Sequence, residues 1–194
     1  MTPQSGTAGL ILAAGESRRM GYPKALLRYR QETFLDTLVG LFAGRCHPVI
    51  VVLGCRADEI RGRAVRPATF VVNAEYQRGM TSSLQCGLRA LPPQTGGVLF
   101  TLVDHPAVTP ATLDALMEGQ PFLRVPRYKS RRGHPIRFAG ALIPEFLALP
   151  ETAAARDVVR AHAAETDFLD LDDSGIVADI DDLEAYGGLI GATL

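Results

Sequence analysis

The 194-residue sequence lacks the features typical of secreted, membrane and nucleic-acid-binding proteins. No uninterrupted apolar stretch approaches the roughly 18 residues of a membrane-spanning helix. Residues 1–7 lack the basic and apolar regions of a signal peptide. A net charge of -1 gives no general attraction to nucleic acid or anionic lipid. We therefore expect a cytoplasmic protein that binds neither nucleic acid nor a membrane.

Cysteine is scarce and histidine is scattered. The 3 cysteines, Cys46, Cys55 and Cys86, are odd in number and lack the spacing of metal ligands. We expect them to be reduced thiols with a packing role. The 4 histidines are too dispersed to predict a metal cluster. The length suits one domain, and 47% hydrophobic and 21% charged residues are ordinary for a globular protein.

Apolar runs alternate with helical patterns through the first two-thirds of the chain. Strands are predicted at residues 10–13, 49–53, 69–72 and 98–103. Apolar residues at helical spacing between 34 and 42 predict a helix on one sheet face, and residues 57–63 predict a short surface helix. This alternation predicts βαβ units and an α/β fold with a mainly parallel central sheet.

The stretch GLILAAGESRRMGYPK, residues 9–24, joins a buried-strand pattern to a basic loop with two glycines. Small residues let backbone N-H groups approach an anion, while Arg18, Arg19 and Lys24 bring three cations into the same segment. The spacing of Gly15, Gly21 and Lys24 excludes a P-loop, and no G-x-G-x-x-G is present. A solvated turn is the structural alternative, but the whole string favours a phosphate site.

Two further positions are candidates for ligand contact. Gly79 precedes Thr81, Ser82 and Ser83 and a helical apolar stripe, so these hydroxyl residues are either helix N-caps or part of a loop facing a ligand. Asp104 follows VLFTLV, a continuous apolar run that predicts a central strand. An aspartate in that position is either a turn former or a ligand-binding residue at the sheet's carboxyl edge.

Opposite charges separate in the last third of the chain. Residues 122–138 carry arginine and lysine without acidic neighbours, and residues 165–184 carry aspartate and glutamate without basic ones. They form two solvated faces that pair with each other, or they contact different ligands: phosphates for the cations and a metal for the carboxylates. Pro135 and Gly133 predict a rigid turn around His134, which has either a structural or a ligand-binding role.

LILAAGESRRMGYPKALL, residues 10–27, resembles the signature of the MobA/MocA-like nucleotidyltransferases, the family of the molybdenum cofactor guanylyl- and cytidylyltransferases. Weaker resemblances follow at GMTSSL, VDHP, RGHP and VADIDDLEAY, in the family's order along the chain. The chain departs from the pattern in two places. Val103 stands where the family has glycine, and Asp182-Leu183 stands where Thr-Pro is usual.

The resemblance implies a Rossmann-like three-layer sandwich of the nucleotide-diphospho-sugar transferase type. It implies one nucleotidyltransferase domain over residues 1–194, with a nucleotide-binding part at about 8–120 and an acceptor-side, metal-completing part at about 121–194. The residues that it assigns to nucleotide binding are Leu12, Ala13, Ala14, Gly15, Ser17, Arg18, Arg19, Gly21, Lys24, Gly79 and Ser83.

The resemblance also implies roles in catalysis. Lys24 is expected at the α-phosphate, with Arg19 and Asp104 as further catalytic residues. Mg²⁺ is expected to bind Asp104 and Asp181, with Asp179 as the reserve ligand. Arg132, Gly133 and His134 are expected to bind the acceptor.

The implied reaction is transfer of CMP from CTP to molybdopterin with release of pyrophosphate. Leu-Ala-Ala-Gly at residues 12–15 and the RGHP turn favour CTP over GTP by the same resemblance. A molybdoenzyme or its chaperone is a candidate partner. The alternatives are a guanylyltransferase, a nucleotidyltransferase acting on a sugar phosphate or another small phosphate, and a non-catalytic accessory protein that binds nucleotide or cofactor.

Overall fold

Strands and helices alternate along residues 6–191, the part of the chain that this computed structural model describes. The strands are β1 Thr7–Ala13, β2 Arg28–Tyr29, β3 Glu32–Thr33, β4 Val49–Leu53, β5 Thr69–Val72, β6 Gly97–Leu102, β7 Leu123–Tyr128, β8 Arg131–Arg132, β9 Ile136–Ala139 and β10 Thr166–Asp170. The helices are α1 Phe34–Ala43, α2 Ala57–Arg63, α3 Met80–Arg89, α4 Pro110–Met117, α5 Ile143–Ala148, α6 Ala155–Ala161 and α7 Leu183–Gly191.

One 8-stranded sheet forms the middle layer, in the order β10-β7-β9-β6-β1-β4-β5, with β8 paired to β7. The pairs β6-β1, β1-β4, β4-β5 and β10-β7 are parallel. Strand β9 runs antiparallel to both β6 and β7. The predicted α/β fold with a mainly parallel sheet is confirmed, and strands from both halves of the chain join the same sheet.

Helices cover both faces of this sheet. Ile11 of β1 faces a cluster that contains buried residues of α1 and α4. Its neighbours Leu10 and Leu12 face a second cluster, built on α3, α5 and α6. Alternate side chains of a strand point to opposite faces, so a strand that is apolar throughout is buried on both sides. The result is the three-layer sandwich that the sequence resemblance implied.

Local sequence signals placed most of the elements in the first 120 residues. The strands at 49–53 and 69–72 have the predicted bounds, and the other two differ by a few residues at their ends. Helix α4 begins with Pro110 in its first turn, after Thr109, whose hydroxyl accepts a hydrogen bond from the Thr112 amide. The N-cap interpretation of Ser82 is wrong, because helix α3 is capped by Gly79 and the Ser82 hydroxyl donates to the Gly79 carbonyl.

The two charged segments of the last third pair with each other in part. Strands β7 and β10 lie side by side, and this places Arg124 beside Asp167 and Arg127 beside Asp170, each at 2.7 Å. Both aspartates of these pairs are exposed, so solvent screens the ion pairs and limits their contribution to stability. The interpretation as mutually paired faces therefore holds for these four side chains.

The cysteines form no disulfide within the described residues. Each cysteine of the described chain is free, Cys46 is buried, and Cys55 and Cys86 are half-buried. Burial raises the pKa of Cys46 to about 12, so this thiol is protonated and unreactive at neutral pH. Across residues 6–191, no helix combines the length and apolar character needed to cross a bilayer.

Candidate active site

A cleft opens at the carboxyl ends of β1 and β6 and forms a cavity of about 350 Å³. This is the edge where open α/β sheets bind their ligands. Helix α3 points its N-terminus into the same cleft. All of the predicted nucleotide-binding residues except Gly21 line the cavity, together with Asp104 and Asp181.

The loop after β1 turns on Ser17, which has a left-handed backbone with φ 52°. The Ser17 carbonyl accepts hydrogen bonds from the Met20 amide at 3.0 Å and the Gly21 amide at 3.1 Å. Its hydroxyl accepts one from the Lys24 amide at 3.0 Å. The amides of Met20 and Gly21 are therefore already used inside the loop and are not free to bind a phosphate, although Gly21 is among the predicted nucleotide-binding residues.

The amides of Gly15, Glu16 and Ser17 have no acceptor within the described chain. Gly15 is exposed, Gly15 and Ser17 line the cleft, and all three residues line a neighbouring cavity. Consecutive free amides in such a turn form a concavity for an anion. The free amides of this loop thus lie in its first half.

Four charged side chains from three distant parts of the sequence meet in the cleft. The Lys24 ammonium lies 2.5 Å from Asp181 Oδ1 and 3.3 Å from Asp104 Oδ2. The Arg19 guanidinium lies 2.6 Å from Asp181 Oδ2. The hydrogen bond from Lys24, with a further contribution from Arg19, lowers the pKa of Asp181 below its usual range.

The backbone brings Asp181 to this position. The Ile180 amide donates to the Asp104 carbonyl at 3.0 Å, and the Ile180 side chain is buried in the core. Residues 178–182 belong to no strand, so this backbone contact and not a strand positions Asp181. Asp179 is exposed and lines a neighbouring cavity, while Asp181 contacts Lys24.

Asp104 and Asp181 fit a divalent cation that also binds a polyphosphate. Both carboxylates already surround one cationic group, Lys24, and Asp104 Oδ1 is buried without a hydrogen-bond donor among the described residues. No described group of three or more His, Cys, Asp or Glu side chains could hold a metal by itself. Mg²⁺ is commonly held by one or two carboxylates with substrate phosphates and water completing the shell.

The two departures from the family pattern have clear structural consequences. Val103 is 8% exposed, packs in the core cluster next to α1 and α4, and lines the cleft, so its side chain adds an apolar wall there. Asp182 caps helix α7, because its carboxylate accepts from the Ala185 amide at 2.9 Å. The aspartate thus starts the helix where Thr-Pro is usual.

A second cavity of about 400 Å³ adjoins the first and shares Asp104 and Asp181 with it. The predicted acceptor residues Arg132, Gly133 and His134 line this second cavity. The Arg132 guanidinium is exposed and stacks 4.7 Å from the centre of the Phe168 ring. A group bound in the second cavity would therefore meet a group bound in the first beside the two aspartates.

His134 is half-buried where it lines this cavity. Its ring packs edge-on against Phe100 and beside His105, with centroids 5.4 Å and 5.2 Å away. Burial lowers the pKa of His134 to about 3, with a smaller contribution from His105. The imidazole is therefore neutral at physiological pH and carries no positive charge toward the second cavity.

Several cleft residues were not predicted. His105, buried under the second cavity, has a pKa lowered by burial and lies 3.6 Å from Asp104 Oδ1. Its position directly after Asp104 was the available signal. Tyr76 and Arg131 line the cavities without any motif that would identify them, while Met80 belongs to the GMTSSL motif but was assigned no role.

The sequence profile of the MobA-like NTP transferase domain matches residues 9–166. The chain belongs to this family. It is a nucleotidyltransferase of the MobA-like type, and the resemblance drawn from the first loop is confirmed.

Three curated relatives of this MobA-like protein share about a third of their aligned residues with it. Nicotine blue oxidoreductase of Paenarthrobacter nicotinovorans is 33% identical over 189 residues, which cover 91% of this chain and 92% of the relative. Molybdenum cofactor cytidylyltransferase of Escherichia coli K12 is 33% identical over 102 residues, 52% of each chain. A probable molybdenum cofactor guanylyltransferase of Mycobacterium avium is 33% identical over 123 residues, 57% of this chain and 55% of the relative.

Two crystal structures share the complete fold of this MobA-like chain. Rv0371c from Mycobacterium tuberculosis H37Rv superposes with a TM-score of 0.85 at 30% identity, covering 96% of this chain and 98% of the other. A second structure of Rv0371c, in complex with manganese, has a TM-score of 0.76 at 25% identity, with 96% and 99% coverage.

Proposed function

We propose that this nucleotidyltransferase transfers CMP from CTP to the terminal phosphate of molybdopterin, with Mg²⁺ as its cation and the cytoplasm as its compartment. The observation that carries the proposal is the meeting of Lys24, Asp104 and Asp181 at the boundary of two adjoining cavities. Two phosphate-bearing substrates placed in these cavities would come together beside one cluster of charges.

The reaction forms one bond and breaks one bond. An oxygen of the acceptor phosphate attacks the α-phosphorus of CTP, and the bond from that phosphorus to the bridging oxygen of the β-phosphate breaks. The electron pair leaves with pyrophosphate. The nucleophile is anionic near neutral pH, so a strong general base is unnecessary, consistent with the neutral state of His134.

Positioning and charge stabilisation supply most of the catalysis in such a reaction. In the proposal, the free amides of Gly15, Glu16 and Ser17, with Arg18 and Arg19, bind the β- and γ-phosphates. Lys24 contacts the α-phosphate, where negative charge accumulates as the new bond forms. Gly79 and Ser83 contact the nucleoside, since both line the cleft at the start of α3.

Asp104 and Asp181 would hold the Mg²⁺, with Asp179 as the reserve. A divalent cation there would neutralise phosphate charge and polarise phosphoryl oxygens. The manganese complex of Rv0371c supports a divalent cation in this fold, and the hard oxygen ligands favour Mg²⁺ as the physiological ion.

CTP is preferred over GTP in this proposal because Ala14 stands where guanylyl-type members carry glycine. Ala14 is 5% exposed and lines the cleft, so its methyl group occupies space that a glycine would leave open. The cytidylyl and guanylyl relatives are equally similar to this chain and support both alternatives.

In the domain arrangement that we propose, residues 8–120 bind the nucleotide and residues 121–194 complete the metal site and bind the acceptor. Arg132, Gly133 and His134 of the RGHP turn line the second cavity, where the acceptor would bind. A molybdoenzyme or its chaperone would receive the product. A sugar phosphate or another small phosphate remains the alternative acceptor.

A second candidate function rests on the nearly full-length similarity to nicotine blue oxidoreductase. Under it, the chain would reduce a compound of the nicotine blue type. Loss of the absorbance of nicotine blue in the presence of reduced nicotinamide nucleotide and the purified protein would favour this candidate.

The experiment that tests the main proposal measures pyrophosphate release by the purified protein with Mg²⁺. Reactions contain CTP or GTP, each with molybdopterin and with the acceptor omitted. We expect release only when acceptor is present, and faster release with CTP. Faster use of GTP would reverse the nucleotide assignment, and no release with either nucleotide would refute the proposed acceptor.

A further inference from the structure

Residues 173–181, which we call the strap, connect strand β10 to helix α7 and carry Asp181 to the cleft. The strap has little regular structure beyond one turn of 3-10 helix at residues 174–177. It is nevertheless anchored in the core, because the side chains of Ile176 and Ile180 are 0% and 3% exposed. The position of Asp181 therefore depends on how the strap is held.

The strap is held at its first residue by a buried carboxylate. Asp173 is 7% exposed, and its Oδ2 accepts from the Thr109 amide at 2.9 Å, the Thr109 hydroxyl at 2.9 Å and the Thr112 hydroxyl at 2.6 Å. Its Oδ1 accepts from the Gly175 amide at 2.9 Å. Every acceptor atom of the side chain is thus used, and its negative charge lies at the favourable N-terminus of α4.

Three further contacts transmit this anchor along the strap. Gly175 packs so closely on the 107–108 backbone that an added Cβ would lie 2.4 Å from the Ala107 carbonyl oxygen. The Ile176 carbonyl accepts from the His134 amide at 2.8 Å. The Ile180 amide donates to the Asp104 carbonyl at 3.0 Å. The strap therefore touches both the Asp104 loop and the acceptor turn before it reaches Asp181.

We propose that Asp173 is a positioning residue that fixes Asp181 beside Asp104 through the strap, and so sets the affinity of the site for a divalent cation. This rests on the proposed function, in which Asp104 and Asp181 hold that cation. A cation gains most from carboxylates that are already placed for it, and residues that support metal ligands typically change affinity by roughly 10–100-fold when they are replaced. Asp173 touches neither the cation site nor a substrate cavity.

The sequence offers a matched control in Asp36. This aspartate is 4% exposed and accepts hydrogen bonds from the Thr33 hydroxyl at 2.7 Å and from the amides of Val65 and Arg66 at 2.9 Å each. It lies at the N-terminus of α1, as Asp173 lies at that of α4, and none of its hydrogen bonds involves the strap. Asp36→Asn and Asp173→Asn therefore weaken similar hydrogen bonds to buried carboxylates. Of the two residues, only Asp173 lies on the strap.

The test makes two measurements on each variant. Binding of Mn²⁺, without nucleotide or acceptor, is followed by loss of the electron paramagnetic resonance signal of the free ion, and stability is measured by urea denaturation. We expect Asp173→Asn to weaken Mn²⁺ binding about 10–100-fold and Asp36→Asn to change it less than about twofold, at similar losses of stability. Equal Mn²⁺ affinities in these two variants would overturn the proposal, since both would then act only on folding.

Two more variants make the result decisive. Gly175→Ala keeps Asp173 but displaces the strap from the 107–108 backbone, so it must also weaken Mn²⁺ binding, including in the case where Asp173→Asn fails to fold. Wild-type Mn²⁺ affinity in folded Gly175→Ala would count against the strap. Asp181→Asn tests the metal site itself: if it binds Mn²⁺ like the wild type, the proposed function fails at that site independently of Asp173.

Discussion

The Lys24 ammonium lies 2.5 Å from Asp181 Oδ1, although the two residues come from opposite ends of the sequence. Asp104 adds a second carboxylate at 3.3 Å from the same nitrogen. In the free protein Lys24 therefore lies between the two aspartates, and Lys24 and Arg19 together balance their negative charge. A nucleotide whose phosphates attract Lys24 would leave these carboxylates open to a cation, so the two ligands are expected to support each other's binding.

Replacing Lys24 by alanine is expected to lower turnover at least about 100-fold, because a cation next to the α-phosphate stabilises charge that develops in the transition state. The fold should persist, since Lys24 lies in a solvent-accessible cleft. Pyrophosphate release and circular dichroism measure the two effects. The other lysine of the chain, Lys129, is exposed on a turn and supplies the control Lys129→Ala, which should keep wild-type turnover. Turnover by Lys24→Ala equal to that control would contradict the role.

Asp104→Ala is expected to abolish turnover while the protein stays folded. Asp104 Oδ1 accepts no hydrogen bond in the described structure. Lys24, which donates to Asp104 Oδ2, keeps its hydrogen bond to Asp181, so removing the Asp104 carboxylate leaves no donor there without a partner. The urea midpoint should stay near that of the wild type while pyrophosphate release disappears. Unchanged release would show that Asp104 does not act in the reaction.

Removing divalent cations should stop the reaction reversibly. Treatment with a chelator is expected to abolish pyrophosphate release, and added Mg²⁺ or Mn²⁺ to restore it, because two carboxylates and a polyphosphate bind a hard cation through oxygen. Ca²⁺ serves as a comparison ion of the same charge and larger size. Full activity in excess chelator would exclude a cation from the chemistry.

Ala14→Gly is expected to shift the preference between nucleotides toward GTP. Removing the methyl group enlarges the cleft by about the volume of one methylene group. A difference of this size changes discrimination between two substrates by roughly 10–200-fold in apolar pockets. The ratio of kcat/KM for CTP to that for GTP measures the shift. Ala8→Gly is a control that removes a buried methyl from strand β1, which precedes Ala14, without facing the cleft. An unchanged ratio in Ala14→Gly would show that this position does not select the base.

His162 and His134 should titrate at widely different pH values. Hydrogen bonds to Glu165 and Glu145 raise the pKa of His162, while burial lowers the pKa of His134 to about 3. A raised folded pKa contributes stability that is complete below the unfolded value of about 6.5 and is lost as pH rises through the folded value. NMR titration should show that His162 becomes protonated at a higher pH than His134. Stability of His162→Gln should depend less on pH between 5 and 8 than that of the wild type.

Phe138→Ala is expected to cost about 3–5 kcal/mol of unfolding free energy. The Phe138 ring is 0% exposed and packs 4.5 Å from the centre of the Phe146 ring, between the antiparallel strand β9 and helix α5. Urea denaturation measures the loss. Val65→Ala is the control, because Val65 is 85% exposed and its truncation should change stability by less than about 0.5 kcal/mol. A similar effect of both changes would contradict the assigned core.

The sequence by itself determined the elements whose signals are local. The apolar runs at 49–53 and 69–72 became β4 and β5, and Thr109 and Pro110 started helix α4 as their cap chemistry requires. The first loop also identified the family. These signals depend only on near neighbours in the chain, so they can be read without knowing the fold.

Strands β7 and β10 were not predicted, because charged residues interrupt the apolar pattern of both segments. Their arginines and aspartates appear in the sequence as two separate charged surfaces, and only the parallel pairing of the strands sets Arg124 beside Asp167. Likewise, the RGHP turn left the role of His134 open, and only the fold shows that its ring packs against Phe100 and His105. Strand pairing and burial depend on partners far away in the chain, so no local pattern reports them.

Only the tertiary structure decided how the charged residues of the cleft meet. The sequence supplied Lys24, Asp104 and Asp181 as candidates, and the strap sets the distances between them through Ile180 and Asp173. The physical reason is that a charged cluster of this kind requires atomic positions within a few ångströms, and those positions follow from backbone contacts between segments that sequence spacing leaves independent.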